Sequence, residues 1–218
     1  MSLLDRIVTR KVDSELPILG TKTGGEPVFA TKALQKFLSC LMSRESPVLL
    51  DLGAVVGSNV SFFGEQLGCK IFVENIYADL ERHLRNQTLD AFPEFLQTRF
   101  TERSASVDGI LCWDVIDYLD RRSALALTEQ LTRVLRPDGA LLGFFGTVPP
   151  RDLSYTSYVV VDELNLKHRT YPGARGRQSI LQNRDITRLF SSLRVSDSFL
   201  LQHQLREVLF RKPAWDVS

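Results

Sequence analysis

The residues best placed for chemistry stand close together: Asp51-Leu52-Gly53-Ala54-Val55-Val56-Gly57-Ser58-Asn59, followed by Glu74. Pro47 introduces the apolar run Val48-Leu49-Leu50 before Asp51, the pattern of a short strand buried on both faces. Glycine at 53 lets the backbone approach a ligand with no Cβ between them. Gly57 opens a helix, whose first N–H groups lack partners and can face a carboxylate or another polar group. Glu74 ends a second apolar run, Lys70-Ile71-Phe72-Val73, and a carboxylate there can accept both hydroxyls of a ribose. Each residue also has a plainer reading. Asp51 can cap loop N–H groups, the glycines can serve turn and packing, and Glu74 can be a solvated charge. As a set at two strand tips they favour a ligand.

The elements that must position this set alternate along the chain. Ala33, Leu34, Phe37, Leu38 and Leu41 recur at helical spacing within a helix expected from Phe29 to Met42. Ser58 to Leu67 reads as a helix with Val60, Phe63 and Leu67 inward, ended by Gly68. Residues 77–87 read as a charged helix, and Asp90 to Phe100 should hold a short strand. Val107 to Trp113 is a further strand. Asp120 can cap the next helix, with Leu127, Leu131, Val134 and Leu135 as its buried stripe. Arg136-Pro137-Asp138-Gly139 turns into a strand from Ala140 to Phe145. Asn183 can cap a last helix carrying Ile186, Leu189, Phe190 and Leu193. Two apolar runs then follow, Val195 to Leu201 and Val208 to Phe210. The link between them is too short for a parallel crossover, so they form an antiparallel hairpin. Repeated β-α order implies a mostly parallel sheet with helices on both faces, and ligands bind such sheets beyond the carboxyl ends of the strands.

Four segments in this order resemble the class I S-adenosylmethionine-dependent methyltransferases. Asp51-x-Gly53-x-x-x-Gly57 resembles their glycine-rich first motif, and Glu74 their ribose-binding acid. Val107-Asp108-Gly109-Ile110-Leu111-Cys112-Trp113-Asp114 resembles their fourth-strand segment. Leu131 to Leu142, with Leu135-Arg136-Pro137-Asp138-Gly139 at its centre, resembles the passage before their fifth strand. The resemblance implies a doubly wound, Rossmann-like sheet of seven strands, six parallel and the last antiparallel. It also implies S-adenosylmethionine as cofactor. Gly53, Ala54 and Gly57 would line its methionine and ribose, with Asp51 beside them. Glu74 would hold the ribose hydroxyls, and Gln97 would lie near the adenine. Cys112 and Trp113 would lie near the sulfonium.

The match has two departures: Gln97 stands where the family often has an acidic residue near the adenine amino group, and the middle glycine of the motif is Val55. Either the loop takes an ordinary backbone conformation there or cofactor binding suffers, because a β-branched residue at positive φ is strained. The implied activity is methyl transfer to an oxygen, nitrogen or carbon nucleophile, driven by proximity and needing no obligatory base. After Trp113 the chain reads Asp114-Val115 rather than the Asn/Asp-Pro-Pro-Tyr/Phe of amino-methylating enzymes of nucleic acids. A small-molecule acceptor is therefore favoured over a nucleic acid. The alternative is a non-catalytic relative that keeps the fold as a binding or partner protein.

The remaining features bound the reading. Lys+Arg 27 against Asp+Glu 26 gives no general attraction to nucleic acid or membrane. Cys40, Cys69 and Cys112 form no CxxC pair, and with His83, His168 and His203 they complete no metal spacing, so no metal is expected. The expected location is cytoplasmic, since no leader-like or membrane-length apolar run is present. Residues 1–46 are expected as a helical segment able to cover the pocket of a domain spanning 47–218. Within that domain, 147–182 is expected as an acceptor lid. Tyr158 to Asp162 and Lys167 to Tyr171 would pair within it. Its Arg151, Arg169, Arg175 and Arg177, with Tyr155, Tyr158 and Tyr171, suit either recognition of an anion or RNA, or a solvated hairpin. His168 is a weak candidate base.

Overall fold

Alternate residues of the central strands face opposite cores, which is why the sheet must be covered on both sides. In the computed structural model, Leu50, Ile110, Cys112 and Leu141 pack into one apolar core, while Leu49, Leu111, Trp113 and Leu142 pack into the other. The described residues are 7–9 (backbone alone), 27–149, 152–178 and 180–214.

The main sheet has seven strands in the order β1(Ile7–Thr9), β4(Lys70–Val73), β3(Val48–Asp51), β5(Val107–Trp113), β6(Leu135–Gly146), β10(Leu205–Arg211), β9(Arg194–Leu200). β1, β4, β3, β5 and β6 are parallel neighbours. β10 is antiparallel to both β6 and β9, so six strands run one way and β10 the other. The helices are α1(Ala33–Leu41), α2(Gly57–Val60), α3(Ile76–Arg85), α4(Phe92–Arg99), α5(Arg121–Val134) and α6(Asn183–Leu189). A second, three-stranded antiparallel sheet has the order β2(Val28–Ala30), β8(Asn165–Pro172), β7(Ser154–Asp162).

Several expectations are corrected. Asp90 to Phe100 holds no strand: α4 starts beside Pro93 and buries Phe92, Leu96 and Arg99, a spacing that suits a helix. The sheet position beside β4 is taken by β1, from a segment expected to be helical. The first helix does not begin at Phe29. Val28 and Phe29 pair with β8 instead, and the start of α1 is set from a distance. The Glu207 carboxylate on β10 accepts the Lys32 and Ala33 N–H groups at 2.8 and 2.9 Å. β6 begins at Leu135, directly after α5, so Arg136 to Gly139 form a bulged strand rather than a turn between elements. Gln182, not Asn183, caps α6, in a reciprocal capping box with Asp185. Asp120 caps α5 as expected, accepting the Ser123 N–H at 2.9 Å. The rest of the residues 1–46 expectation falls largely outside the described residues.

α2 continues as a π-helix, Ser61–Gln66, before Gly68 turns the chain at φ +68°. One-turn π segments are rare and cluster near functional sites. The three cysteines are free thiols, Cys69 and Cys112 buried and Cys40 half-buried.

Candidate functional site

The carboxyl ends of β3, β4 and β5 meet at Asp51. Its backbone carbonyl accepts the Glu74 N–H at 2.7 Å, and Leu52 N–H reaches the Leu111 carbonyl at 3.0 Å. Asp51 Oδ1 accepts two neutral donors, Gly53 N–H at 2.9 Å and the Trp113 indole N–H at 2.7 Å. Burial drives the Asp51 carboxyl up to about 6, against the opposing pull of those two hydrogen bonds. Gly53 is needed for closeness: a Cβ there would stand 3.0 Å from both Cδ1 and Nε1 of Trp113. The indole therefore fills the space in front of the glycine loop.

Strain in this region sits on Trp113, not on Val55. Trp113 has φ +49°, an outlier for a bulky residue, whereas Val55 is not among the positive-φ residues and its side chain is exposed. The loop thus takes an ordinary conformation at Val55. Ala54 is half-buried, and Gly57 starts α2, where an added Cβ would meet nothing within 4 Å.

Glu74 stands at the tip of β4 as expected but points into protein. It is 1% exposed and paired with the Arg99 guanidinium, which also donates to Asp79 Oδ2 at 2.7 Å. Asp79 in turn pairs with Arg82 at 2.7 Å. Gln97 is exposed on α4, two residues from Arg99, and not at a strand tip. Cys112 packs in the core opposite Trp113, and burial raises its thiol far above the ordinary range. Of the eight residues singled out by the motifs, the structure thus gathers Asp51, Gly53, Glu74 and Trp113 at one corner, flanked by Ala54 and Gly57.

A cover lies over this corner. β7 and β8 form the hairpin expected within 147–182, in longer form. Tyr158 stacks on Trp113, ring centroids 5.2 Å apart and planes 10° from parallel. Asn59, buried at the start of α2, clamps β7 by donating to the Tyr158 carbonyl and accepting the Val160 N–H, both at 2.8 Å. Tyr155 stacks between Tyr77 and Tyr171. His168 packs among Phe29, Tyr158 and His203, and burial pushes it down to about 4.

Beyond β5 lies a buried polar cluster. Asp114 accepts hydrogen bonds from the Tyr77 hydroxyl, the Tyr118 hydroxyl at 3.4 Å and the Arg177 guanidinium at 3.0 Å. Arg177 Nε also lies 3.5 Å from Asp117 Oδ2, which accepts the Gly146 N–H at 2.7 Å. Burial, with Asp114 nearby, pushes Asp117 up to about 8. Sequence reasoning quoted Asn59 at the end of the glycine stretch without a role and missed Tyr77, Arg99 and Asp117. Only Arg99 carried a signal, as a charge in phase with Phe92 and Leu96. Arg177 turns inward, and Arg151 lies outside the described residues. Among the described residues no group of three or more His, Cys, Asp and Glu could hold a metal ion, and no helix is long and apolar enough to cross a membrane.

No protein-family model matches the chain. No curated protein matches its sequence. Solved structures do match in fold. A crystal structure of the PH0226 protein of Pyrococcus horikoshii OT3 is 16% identical with a TM-score of 0.52, covering 83% of this chain and 88% of that one. The 1,6-didemethyltoxoflavin-N1-methyltransferase of Burkholderia thailandensis, solved with S-adenosylhomocysteine, is 16% identical with a TM-score of 0.47, covering 83% of this chain and 78% of that one. A SAM-dependent methyltransferase from Aquifex aeolicus is 13% identical with a TM-score of 0.47, covering 81% of this chain and 88% of that one. Strand order, the closing antiparallel hairpin and the glycine loop at the sheet's carboxyl edge agree with one another: this chain has the Rossmann-like class I methyltransferase fold.

Proposed function

We propose that the protein transfers a methyl group from S-adenosylmethionine to a small-molecule nucleophile, with residues 147–182 as the lid over the acceptor. The observation that carries this reading is the convergence of Asp51, Gly53, Glu74 and Trp113 at three adjacent strand tips. The backbone suits the cofactor, and the polar groups that would hold it now have partners within the protein. Trp113 stands against Gly53 and bonds Asp51, and Arg99 pairs with the Glu74 carboxylate. In this reading the indole leaves Asp51 and the Glu74–Arg99 pair opens on binding. Gly53, Asp51 and Glu74 would then hold the cofactor, which would supply an electrophilic methyl group. The chain's own share is to orient the acceptor and exclude water, worth about 7–11 kcal/mol when alignment is good.

Calorimetric titration with S-adenosylmethionine and S-adenosylhomocysteine tests the reading. Saturable binding supports it, with a stabilisation of about 2.7 kcal/mol at a ligand concentration near 100 times Kd. That corresponds to a rise in Tm of roughly 5–11 °C for a chain of this size. No heat and no shift at millimolar ligand would sink it.

The same filled corner favours a second reading, a non-catalytic binding or partner protein. There the Trp113–Asp51 bond and the Glu74–Arg99 pair are permanent replacements for a ligand. Absence of cofactor binding together with binding to another molecule would favour it.

A further inference from the structure

Arg177 reaches the polar cluster from an irregular segment, while everything it touches is fixed in the fold. Asp114, Asp117 and Tyr118 follow β5 and Gly146 ends β6, while Tyr77 on α3 and Tyr158 on β7 complete the cluster around Asp114. The described residues between β8 and α6, among them Arg177, have no regular structure and include Gly173 and Gly176. The guanidinium lies over Gly146, in space a Cβ there would take.

Both carboxylates are fully buried, Asp114 and Asp117 each being 0% exposed. Asp114 is well supplied with donors. Asp117 is not: its Oδ1 is buried and has no hydrogen-bond partner among the described residues. An enclosed carboxylate oxygen without a donor costs about 1–3 kcal/mol, and Arg177 leaves that oxygen unserved. The Tyr118 and Tyr158 phenols are pushed far above their ordinary range, by burial first and by Asp114 second, so they stay protonated as donors. Whatever replaces Arg177 must therefore bring positive charge and at least one N–H. A neutral or anionic group would take the counter-charge from buried Asp114, while Asp117, which also feels Arg206, is held towards its protonated form.

We propose that the cage of Asp114, Asp117, Tyr77, Tyr118 and Tyr158 is a binding site for an alkylguanidinium or alkylammonium group, with Arg177 as its intramolecular occupant. The binding site stands on its own; its assignment as the acceptor site rests on the methyl-transfer reading.

The test uses the full chain, wild type and Arg177→Ala, titrated with ethylguanidinium and propylammonium by calorimetry and thermal shift, with sodium chloride as the control. Arg177→Ala is expected to have a lower Tm that ethylguanidinium restores. It should bind the probe at least about tenfold more tightly than wild type, in which Arg177 competes. Adding Asp114→Asn, which removes the acid that accepts the Arg177 hydrogen bond, should abolish that binding. If Arg177→Ala is unfolded alone, recovery of native circular dichroism on adding millimolar ethylguanidinium supports the site equally. Failure of both cations to bind or rescue the variant overturns the proposal.

Repeating the titration with saturating S-adenosylhomocysteine separates this from the preceding reading. Undiminished cation binding supports an acceptor site beside the cofactor. Competition would place the cation in the cofactor's own position and overturn the acceptor assignment. Loss of S-adenosylhomocysteine binding alone leaves the cation site standing while the methyl-transfer reading falls.

Discussion

Asp51 and Glu74 sit on adjacent strand tips, joined through one backbone hydrogen bond, yet the fold satisfies them in opposite ways. Glu74 receives a full counter-charge from Arg99, which is held on a regular helix and shared with Asp79. Asp51 receives only neutral donors, an amide and an indole, and its carboxyl is driven towards the protonated form. The first arrangement is a buried ion network of Glu74, Arg99 and Asp79, with Arg82 at its edge. The second is a corner held by one aromatic side chain in a strained conformation. The difference indicates where the site can open: at Trp113, before Glu74.

The strongest way to break this comparison is Arg99→Ala. It would remove from buried Glu74 and Asp79 the cation they share, while Arg82 stays on Asp79. Removing one partner of a buried ion pair costs about 3–5 kcal/mol, and urea unfolding would measure it. A loss below about 1 kcal/mol would mean that Glu74 reaches water, and that the two tips do not differ as described.

The next effect is one of pH. The folded Asp51 carboxyl titrates near 6, above its ordinary value of 3.8. Between those values the folded chain holds a proton that the unfolded chain has released. Stability from Asp51 is therefore fully present below pH 3.8 and is lost as pH rises through 6. A shift of this size corresponds to about 3 kcal/mol. Asp51→Asn keeps an acceptor for Gly53 and Trp113 but removes the proton. Its stability relative to wild type should therefore rise by that order between about pH 4 and pH 7. Parallel urea denaturation of both proteins would show it, and a flat difference would mean that Asp51 is solvated.

Gly53→Ala tests the corner sterically. The new Cβ would lie 3.0 Å from the indole, tighter than ordinary packing allows. The expected cost is about 1–3 kcal/mol, and Trp113→Phe in the same chain should recover part of it. If Gly53→Ala is neutral, the indole moves aside freely, and the corner is open in solution.

The strand pattern, the helix stripes and the closing hairpin were legible because both apolar periods are local: alternation along the strands, and three- and four-residue spacing along the helices. α4 was misread against a local signal, Phe92, Leu96 and Arg99 at helical spacing, and two other misreadings arose where a distant partner decided. α1 starts where Glu207 caps it, over 170 residues away, and β1, three β-branched residues in a row, takes its edge by pairing with the distant β4. The strand tips were legible as a group because glycines and acids beside buried runs are unusual. Their partners were not. Arg177 read as one arginine of an anion-binding or solvated hairpin and Arg99 drew no reading, and the fold turns each one inward.

Val55 shows the same limit from the other side, and it is the site of the smallest expected effect. In the chain it is the departure that most threatens the glycine motif. In the fold it is 57% exposed with an ordinary backbone, and the strained residue is Trp113 across the loop. Val55→Gly should therefore cost less than about 1 kcal/mol, from the added freedom of the unfolded chain. It should leave the affinity for S-adenosylhomocysteine unchanged within about twofold, well under the 1.4 kcal/mol of a tenfold change. Denaturation and calorimetry on this one variant decide the point. A marked gain in affinity would move the obstacle from Trp113 back to the loop, and the contrast between the two strand tips would lose its bearing on how the site opens.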